Sequence, residues 1–268
     1  MAALREKSWI LAGLLIAAVA CALIVLAPGA SAWQSGDAYS GSGDWIIDDP
    51  TIVAEETLVV KGKIDITSSL TVYNSEIYID QSSDGQYTVN VASGGKLFFY
   101  QSILASYDSY DYKFTVYGTL HINESEVYDM WGDTSSWVGG IQLHSTSSAT
   151  IENSYIAYGK TGGIYINRCS PTIKYNYIYY NGMGGSTTYC YGIYAYSDGT
   201  TSASIIYNEI GYNYYQSGSA MYGYGIRSEY QSNNDVIAYN NIYNNGFSTT
   251  TTPYGYQIYL YYSSPSMK

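Results

Sequence analysis

Ile64-Asp65-Ile66, Leu70-Thr71-Val72, Ile77-Tyr78-Ile79: over 64–79 the chain offers three short apolar-polar-apolar stretches, each parted from the next by a turn. Alternation with a period of two sends neighbouring side chains to opposite faces of an extended strand. From Ile64 the phrase returns at Val89, Phe114, Ile141, Ile164, Ile193, Ile226 and Tyr256. A repeat of this kind, within the 20–50-position range of solenoids, is the signature of stacked units, none of which can bury its apolar face alone. Three short strands per repeat predict an all-β solenoid, a right-handed parallel β-helix of about eight coils with the last coil incomplete. A leucine-rich repeat would need a helical stretch, and no helical periodicity is present. A left-handed hexapeptide helix would need a shorter, strict period. A propeller is the remaining alternative, although its blades repeat at a distinctly longer period.

Composition agrees with strands and turns. Of 268 residues 35 are Tyr and 27 Gly, while Pro numbers 5 and charged residues make up 12%. Twenty-five of the Tyr follow residue 138, so the second half has a surface chemistry of its own. Net charge is −11, and −12 once the segment 1–32 is set aside. An acidic chain lacks the basic footprint that nucleic acid requires.

Residues 1–32 read as a targeting segment. Arg5 and Lys7 form a basic start, Trp9 to Ala27 is apolar throughout, and Ala30-Ser31-Ala32 is a small-x-small cleavage site. The apolar run is long enough to serve as a retained anchor instead. Either role puts 33–268 outside the membrane, with membrane contact only through an uncleaved leader, and predicts a secreted or cell-surface protein. Residues 33–56 are expected to cap the solenoid and 57–268 to form it, Tyr-rich from about 139. Cys169 and Cys190 flank one strand at opposite ends, too far apart to bridge unless the 183–190 loop folds back.

The later coils share a fuller phrase. Gly162-Gly-Ile-Tyr-Ile166 leads to Ile173 and Asn176-Tyr-Ile178; Tyr191-Gly-Ile-Tyr-Ala195 leads to Ile205 and Asn208-Glu-Ile210; Tyr224-Gly-Ile-Arg-Ser228 leads to Ile237 and Asn240-Asn-Ile242. Over about 57–268 this resembles the parallel β-helix repeats of pectin-lyase-like proteins and of secreted archaeal and bacterial surface β-helix proteins. The resemblance implies a fold and not an activity, because that superfamily spans polysaccharide lyases, glycosidases, adhesins and a copper-enzyme maturation factor. Asn176, Asn208 and Asn240, with Ser154 before them, occupy one repeat position and predict a structural ladder of stacked amides.

The polar residue inside each first strand should point outward, giving a column of Asp65, Asn90, Thr115, Gln142, Tyr165, Tyr194, Arg227 and Gln257. A second column two residues on holds His144, Asn167, Tyr196, Glu229 and Tyr259. Aromatic faces beside amides and charges suit a sugar, whose C–H faces stack while its hydroxyls hydrogen-bond. Gln142, Tyr165, Asn167, Tyr194, Tyr196, Arg227, Gln257 and Tyr259 are therefore the candidate binding residues for an extracellular polysaccharide or cell-surface component. A solvated face with no ligand is the plainer alternative. The resemblance points to the same sheet as a substrate groove, walled by loops 183–190, 212–223 and 246–254. For catalysis the candidates are Glu229, Arg227 and His144, too few for the paired carboxylates of hydrolysis. Binding or surface assembly is thus expected ahead of a lyase or glycosidase activity.

Three smaller expectations remain. Asp80 and Asp84, Asp108 and Asp111, and Asp129 and Asp133 recur in successive loops and are candidate Ca²⁺ ligands, although Asp is also an ordinary turn residue. Asn123-Glu-Ser125 is an N-glycosylation sequon. The eighth coil stops early, which predicts either a longer parent protein or self-association through an open coil.

Overall fold

The computed structural model describes residues 33–133, 138–182, 189–214, 222–232, 234–246 and 254–268. The leader expected over 1–32 and most of the three wall loops lie outside them. Trp33–Lys268 forms one compact unit.

Its strands stack into three long parallel sheets. The front sheet holds Trp45–Ile47, Ile64–Ile66, Thr88–Val91, Lys113–Val116, Ile141–Leu143, Gly162–Asn167, Tyr189–Tyr196, Tyr222–Glu229 and Tyr254–Tyr261 in spatial order. The second sheet runs from Thr51–Ala54 to Ser266–Met267, with Trp33–Ser35 laid antiparallel along its first edge. The third runs from Thr57–Val60 to Asn241–Tyr243. The chain visits front, second and third sheets in turn, so each circuit is one coil. Registers align like residues: Ile64 pairs with Val89, Val89 with Phe114, and so on through Ile141, Ile164, Ile193, Ile226 and Ile258. The inward set is buried from Trp45 to Ile226, giving one continuous core. Each coil depends on its neighbours for that burial, which is what makes the repeat a solenoid.

Two boundaries differ from the sequence reading. Trp45–Ile47 pairs with Ile64–Ile66, so the segment expected to be a cap over 33–56 supplies the first coil. Among the described residues, eight coils contribute to all three sheets and a ninth contributes Tyr254–Tyr261 and Ser266–Met267. The last repeat also sits two positions later than expected: Tyr256 pairs with Tyr224, and Ile258 takes the core position of Ile226. The Tyr-Gly-Tyr prefix shared by 222–224 and 254–256 belongs to both strands, and it shifts the apparent start.

Between the second and third sheets every coil turns through one left-handed residue. In the first five coils it is Glu55, Asn74, Gln101, Glu124 and Asn153; in the next three it is Tyr175, Tyr207 and Tyr239, with φ of 58°, 56° and 57°. Left-handed backbone costs an ordinary L-residue roughly 1–2 kcal/mol, and Asn tolerates it best. The tyrosines recover some of that by stacking. Tyr175 and Tyr207 lie 5.2 Å apart at 14°, Tyr207 and Tyr239 4.9 Å apart at 12°; such pairs contribute about 0.5–1.5 kcal/mol.

The residue after this turn carries the predicted ladder, and it is longer than expected. Backbone N–H groups of Ser75, Ser102, Ser125, Ser154, Asn176 and Asn208 each donate to the side-chain oxygen one coil on, at 2.9–3.1 Å. A second ladder lies outside the repeated phrase. Asn181, Asn213 and Asn245 repeat the pattern in the turn after the third sheet, with amide–amide bonds of 2.9 and 2.8 Å. Gln257 closes it by accepting from Asn245 Nδ2 at 2.9 Å.

Candidate functional site

The outward column of the front sheet is real, but it does not offer an open aromatic face. Its first part bonds to itself: Asn90 Nδ2 donates to Asp65 Oδ1 at 2.8 Å, and Thr115 Oγ1 to Asn90 Oδ1 at 3.0 Å. From the fifth coil Gln142, Tyr165, Tyr194 and Arg227 follow, all buried at 6–8% exposure. Gln257 is not a member, because Tyr259 pairs with Arg227 and takes that place. The second column is His144, Asn167, Tyr196, Glu229 and then Tyr261, not Tyr259. Tyr165, Tyr191, Tyr194 and Tyr224 form a second core outside the solenoid barrel, with Tyr189, Tyr196, Tyr222, Tyr256 and Tyr259 against it. The strands that begin at Tyr189 and Tyr222 are longer than those upstream, and their extra tyrosines cover the strip.

Arg227 sits at the middle of this cluster. Its guanidinium carbon lies 4.9 Å from the Tyr194 ring centre, 5.1 Å from Tyr189, 5.3 Å from Tyr224 and 5.9 Å from Tyr259. Its Nε donates to Glu229 Oε1 at 2.9 Å, and Nη2 reaches the same oxygen. Glu229 Oε2 accepts from Tyr194 Oη at 2.8 Å. Burial pulls the Arg227 pKa down, but the Glu229 hydrogen bond and charge outweigh it and hold the group cationic. Burial, reinforced by the Glu229 bond and charge, pushes the Tyr194 phenol well up. The three candidate catalytic groups do not converge on one site. Glu229 and Arg227 bind each other, while His144 lies three coils away, about 14 Å at sheet spacing, stacked on Tyr117 at 4.3 Å and 7°. Burial lowers the His144 pKa, which favours the neutral ring.

Of the recurring aspartates, Asp84, Asp111 and Asp129 lie close enough for their charges to interact, and the others are held apart from them. Asp80 pairs with Lys61 at 3.4 Å. Asp108 Oδ1 accepts from the Tyr110 amide at 3.0 Å, and Asp133 lies in a short pairing with Val138. Asp84 pairs with Lys160 and accepts from the Asp111 amide at 3.0 Å. Among the described residues, the trio whose carboxylate oxygens converge within 4.8 Å is Asp37, Asp48 and Asp49. There Asp37 Oδ2 accepts from the backbone amides of Asp48 and Asp49 at 2.8 and 2.7 Å, which ties the entry turn.

Asp111 is the titratable group of interest. Burial first, then the charges of Asp84 and Asp129 against a partial offset from Lys160, push its carboxyl up to about 7. A carboxyl raised on folding holds its proton in the native chain while the unfolded chain has lost it. Stability from this group is therefore complete below about pH 4, where both states are protonated. It falls as pH rises through 7, by an amount on the order of 1–4 kcal/mol. Asp84 works the other way, since Lys160 holds its carboxyl low despite burial. Asp111→Asn is expected to match the parent's melting temperature near pH 4 and exceed it by several degrees at pH 8. Parallel melting curves across that range check this.

Exposed aromatic surface lies instead at the two turn edges. Beside the front sheet, Tyr196, Tyr230 and Tyr262 with Asp198 and Gln231 line an open depression of about 420 Å³. Tyr230 and Tyr262 stack at 5.8 Å and 7°, and Tyr262 is 76% exposed. Of the predicted binding residues, Tyr196 lines this depression, and Asn167 pairs with it one coil before. Tyr175, Tyr207 and Tyr239, in the left-handed turn between the second and third sheets, lie by contrast outside every predicted site. Their signal is the repeated dipeptide Tyr175-Asn176, Tyr207-Asn208, Tyr239-Asn240.

A three-sheet parallel solenoid with inward isoleucine columns and an asparagine ladder defines a parallel β-helix protein. Residues 62–210 match the family described as right handed beta helix region, and the chain belongs to that family. No curated protein and no solved structure matches the chain.

Proposed function

We propose that this protein is a secreted or cell-surface β-helix that binds extracellular polysaccharide without cleaving it, as an adhesion or surface-structure module. The observation that carries the reading is the aromatic depression at the front-sheet edge. Tyr196, Tyr230 and Tyr262 offer ring surface there beside the carboxylate of Asp198. Sugars are bound by this combination of stacking and hydroxyl hydrogen bonding. Binding is favoured over cleavage because Glu229, the candidate carboxylate of the strip, is occupied by Arg227 and Tyr194. Family membership supports a scaffold for such a surface and leaves chemistry to the site.

Retention of the purified protein on an array of polysaccharides, with calcium and then with chelator, tests the reading. Specific retention without release of reducing ends or unsaturated products is expected. A blank array in both conditions overturns it.

A further inference from the structure

The third-sheet edge carries a second, separate groove. Tyr175, Tyr207 and Tyr239 form one wall, and Tyr177, Glu209 and Asn241 form the other, around an open volume of about 330 Å³. The three ladder tyrosines are 49, 45 and 58% exposed, and Tyr177 is 50% exposed. Ring centres 5.2 and 4.9 Å apart at near-parallel angles exceed face-to-face contact of about 3.5–4.0 Å, so the rings overlap like tiles and each leaves part of a face open. The wall thus repeats once per coil along the solenoid axis, with one phenol hydroxyl at each step.

The backbone of this wall is left-handed at each step, as it also is at Tyr158, Tyr180 and Tyr212 after the third sheet and at Tyr230 and Tyr262 beside the front sheet. Upstream coils place Glu, Asn or Gln at the same left-handed position, and Asn is the residue that position favours. Bulky residues held in left-handed backbone cluster where a surface has a task.

We infer that the groove between Tyr175, Tyr207, Tyr239 and Tyr177, Glu209, Asn241 is a second glycan track that takes an extended neutral polysaccharide lying along the solenoid axis. The ring-to-ring steps of 5.2 and 4.9 Å are close to the rise of one sugar in an extended pyranose chain. Successive C–H faces then meet successive tyrosine faces. Asn241 and Glu209 face the hydroxyls from the opposite wall. Glu209 accepts from Tyr243 Oη at 2.6 Å, and hydrogen bonds from Tyr179 and Tyr243 keep it ionised. The groove lining contains no cation among the described residues. Lys174, 6.0 Å from the Tyr175 ring centre, is held by Glu152 at 2.8 Å. A polyanionic glycan therefore meets a negative wall, and a neutral one does not.

This inference extends the polysaccharide-binding reading, and one experiment separates the two. The parent protein, the triple variant Tyr175→Asn, Tyr207→Asn, Tyr239→Asn, and Tyr262→Ala are run by affinity electrophoresis through hydroxyethylcellulose, mannan and alginate. Melting temperatures are measured in parallel. The parent is expected to be retarded by a neutral glycan and not by alginate. The triple variant should weaken that retardation at least tenfold, with an unchanged or higher melting temperature because Asn suits the turn. Parent-like retardation of the triple variant overturns the second track, and leaves the broader reading standing if Tyr262→Ala has lost retardation. Equal retardation by alginate overturns the neutral-glycan assignment. A parent that no glycan retards overturns both readings.

Discussion

Glu229→Ala is expected to destabilise the C-terminal coils by about 3–5 kcal/mol, the cost of removing one partner of a buried ion pair. The variant leaves the Arg227 guanidinium among four tyrosine rings at 4.9–5.9 Å without the carboxylate that its Nε and Nη2 now reach. Tyr194 also loses its acceptor at 2.8 Å. Cation–π attraction offsets part of the loss, about 2 kcal/mol when desolvated, so the lower end of the range is the better expectation. Glu229→Gln keeps an acceptor for Arg227 and Tyr194 but removes the charge, and should fall between parent and Ala. Replacing both partners by apolar residues, Arg227→Met with Glu229→Leu, should cost far less than Glu229→Ala alone, because no buried charge remains. Hydrogen exchange in Tyr189–Tyr196 and Tyr222–Glu229 reports the loss locally, as a solenoid opens coil by coil. Parent-like protection in Glu229→Ala would show that the pair is solvated and the aromatic cluster looser than its geometry indicates.

That cluster also shows where sequence reading stops. Alternation fixes which residues of Ile64–Ile66 or Ile164–Ile166 face inward, because the period of two is a property of the strand itself. It says only that Tyr165, Tyr194 and Arg227 face outward. Outward and exposed are different things when adjoining tyrosines, at 189, 191, 222 and 224, fold over the same strip. Coverage depends on contacts between neighbouring coils, which no single repeat encodes. Ladder positions are legible for the opposite reason. A structural Asn bonds to its own copy one coil away, so identity recurs at fixed phase, as at Asn176, Asn208 and Asn240. The second ladder has the same signal, Asn181, Asn213 and Asn245 at one constant interval. It escapes notice because those residues fall in the turn after the third strand instead of inside the repeated phrase. Register of the last coil fails where two registers are nearly equal in pattern. Tyr256-Gln257-Ile258 and Ile258-Tyr259-Leu260 both alternate, and only pairing of the longer 222–229 strand against 254–261 chooses between them.

The second large effect belongs to the ladder. Asn208 has all of its side-chain polar groups engaged: Oδ1 accepts from Asn176 N and Nδ2, each at 3.0 Å, and Nδ2 donates to Ile173 O at 2.9 Å and Asn240 Oδ1 at 3.0 Å. Asn208 and Asn176 are 2 and 1% exposed, so water cannot replace what is lost. A buried donor or acceptor left without a partner costs about 1–3 kcal/mol, and Asn208→Ala strands several at once. A loss of about 3–5 kcal/mol is expected on that basis. The upstream coils show which substitution should be mild. Ser154 Oγ accepts the Ser125 amide at 3.1 Å while donating to Glu152 O at 2.6 Å, so a serine hydroxyl can serve the coil before it. Asn208→Ser should therefore cost only about 1–2 kcal/mol, since the Asn176 backbone amide keeps an acceptor. Asn208→Asp should be no better than Ala, because its second oxygen would face Ile173 O and Asn240 Oδ1, both acceptors. Exchange of the Asn176 amide separates the three: protected in Ser, fast in Ala, and pH-dependent in Asp. Equal exchange in all three would mean that the strand pairing on either side, and not the ladder, holds this corner of the solenoid together.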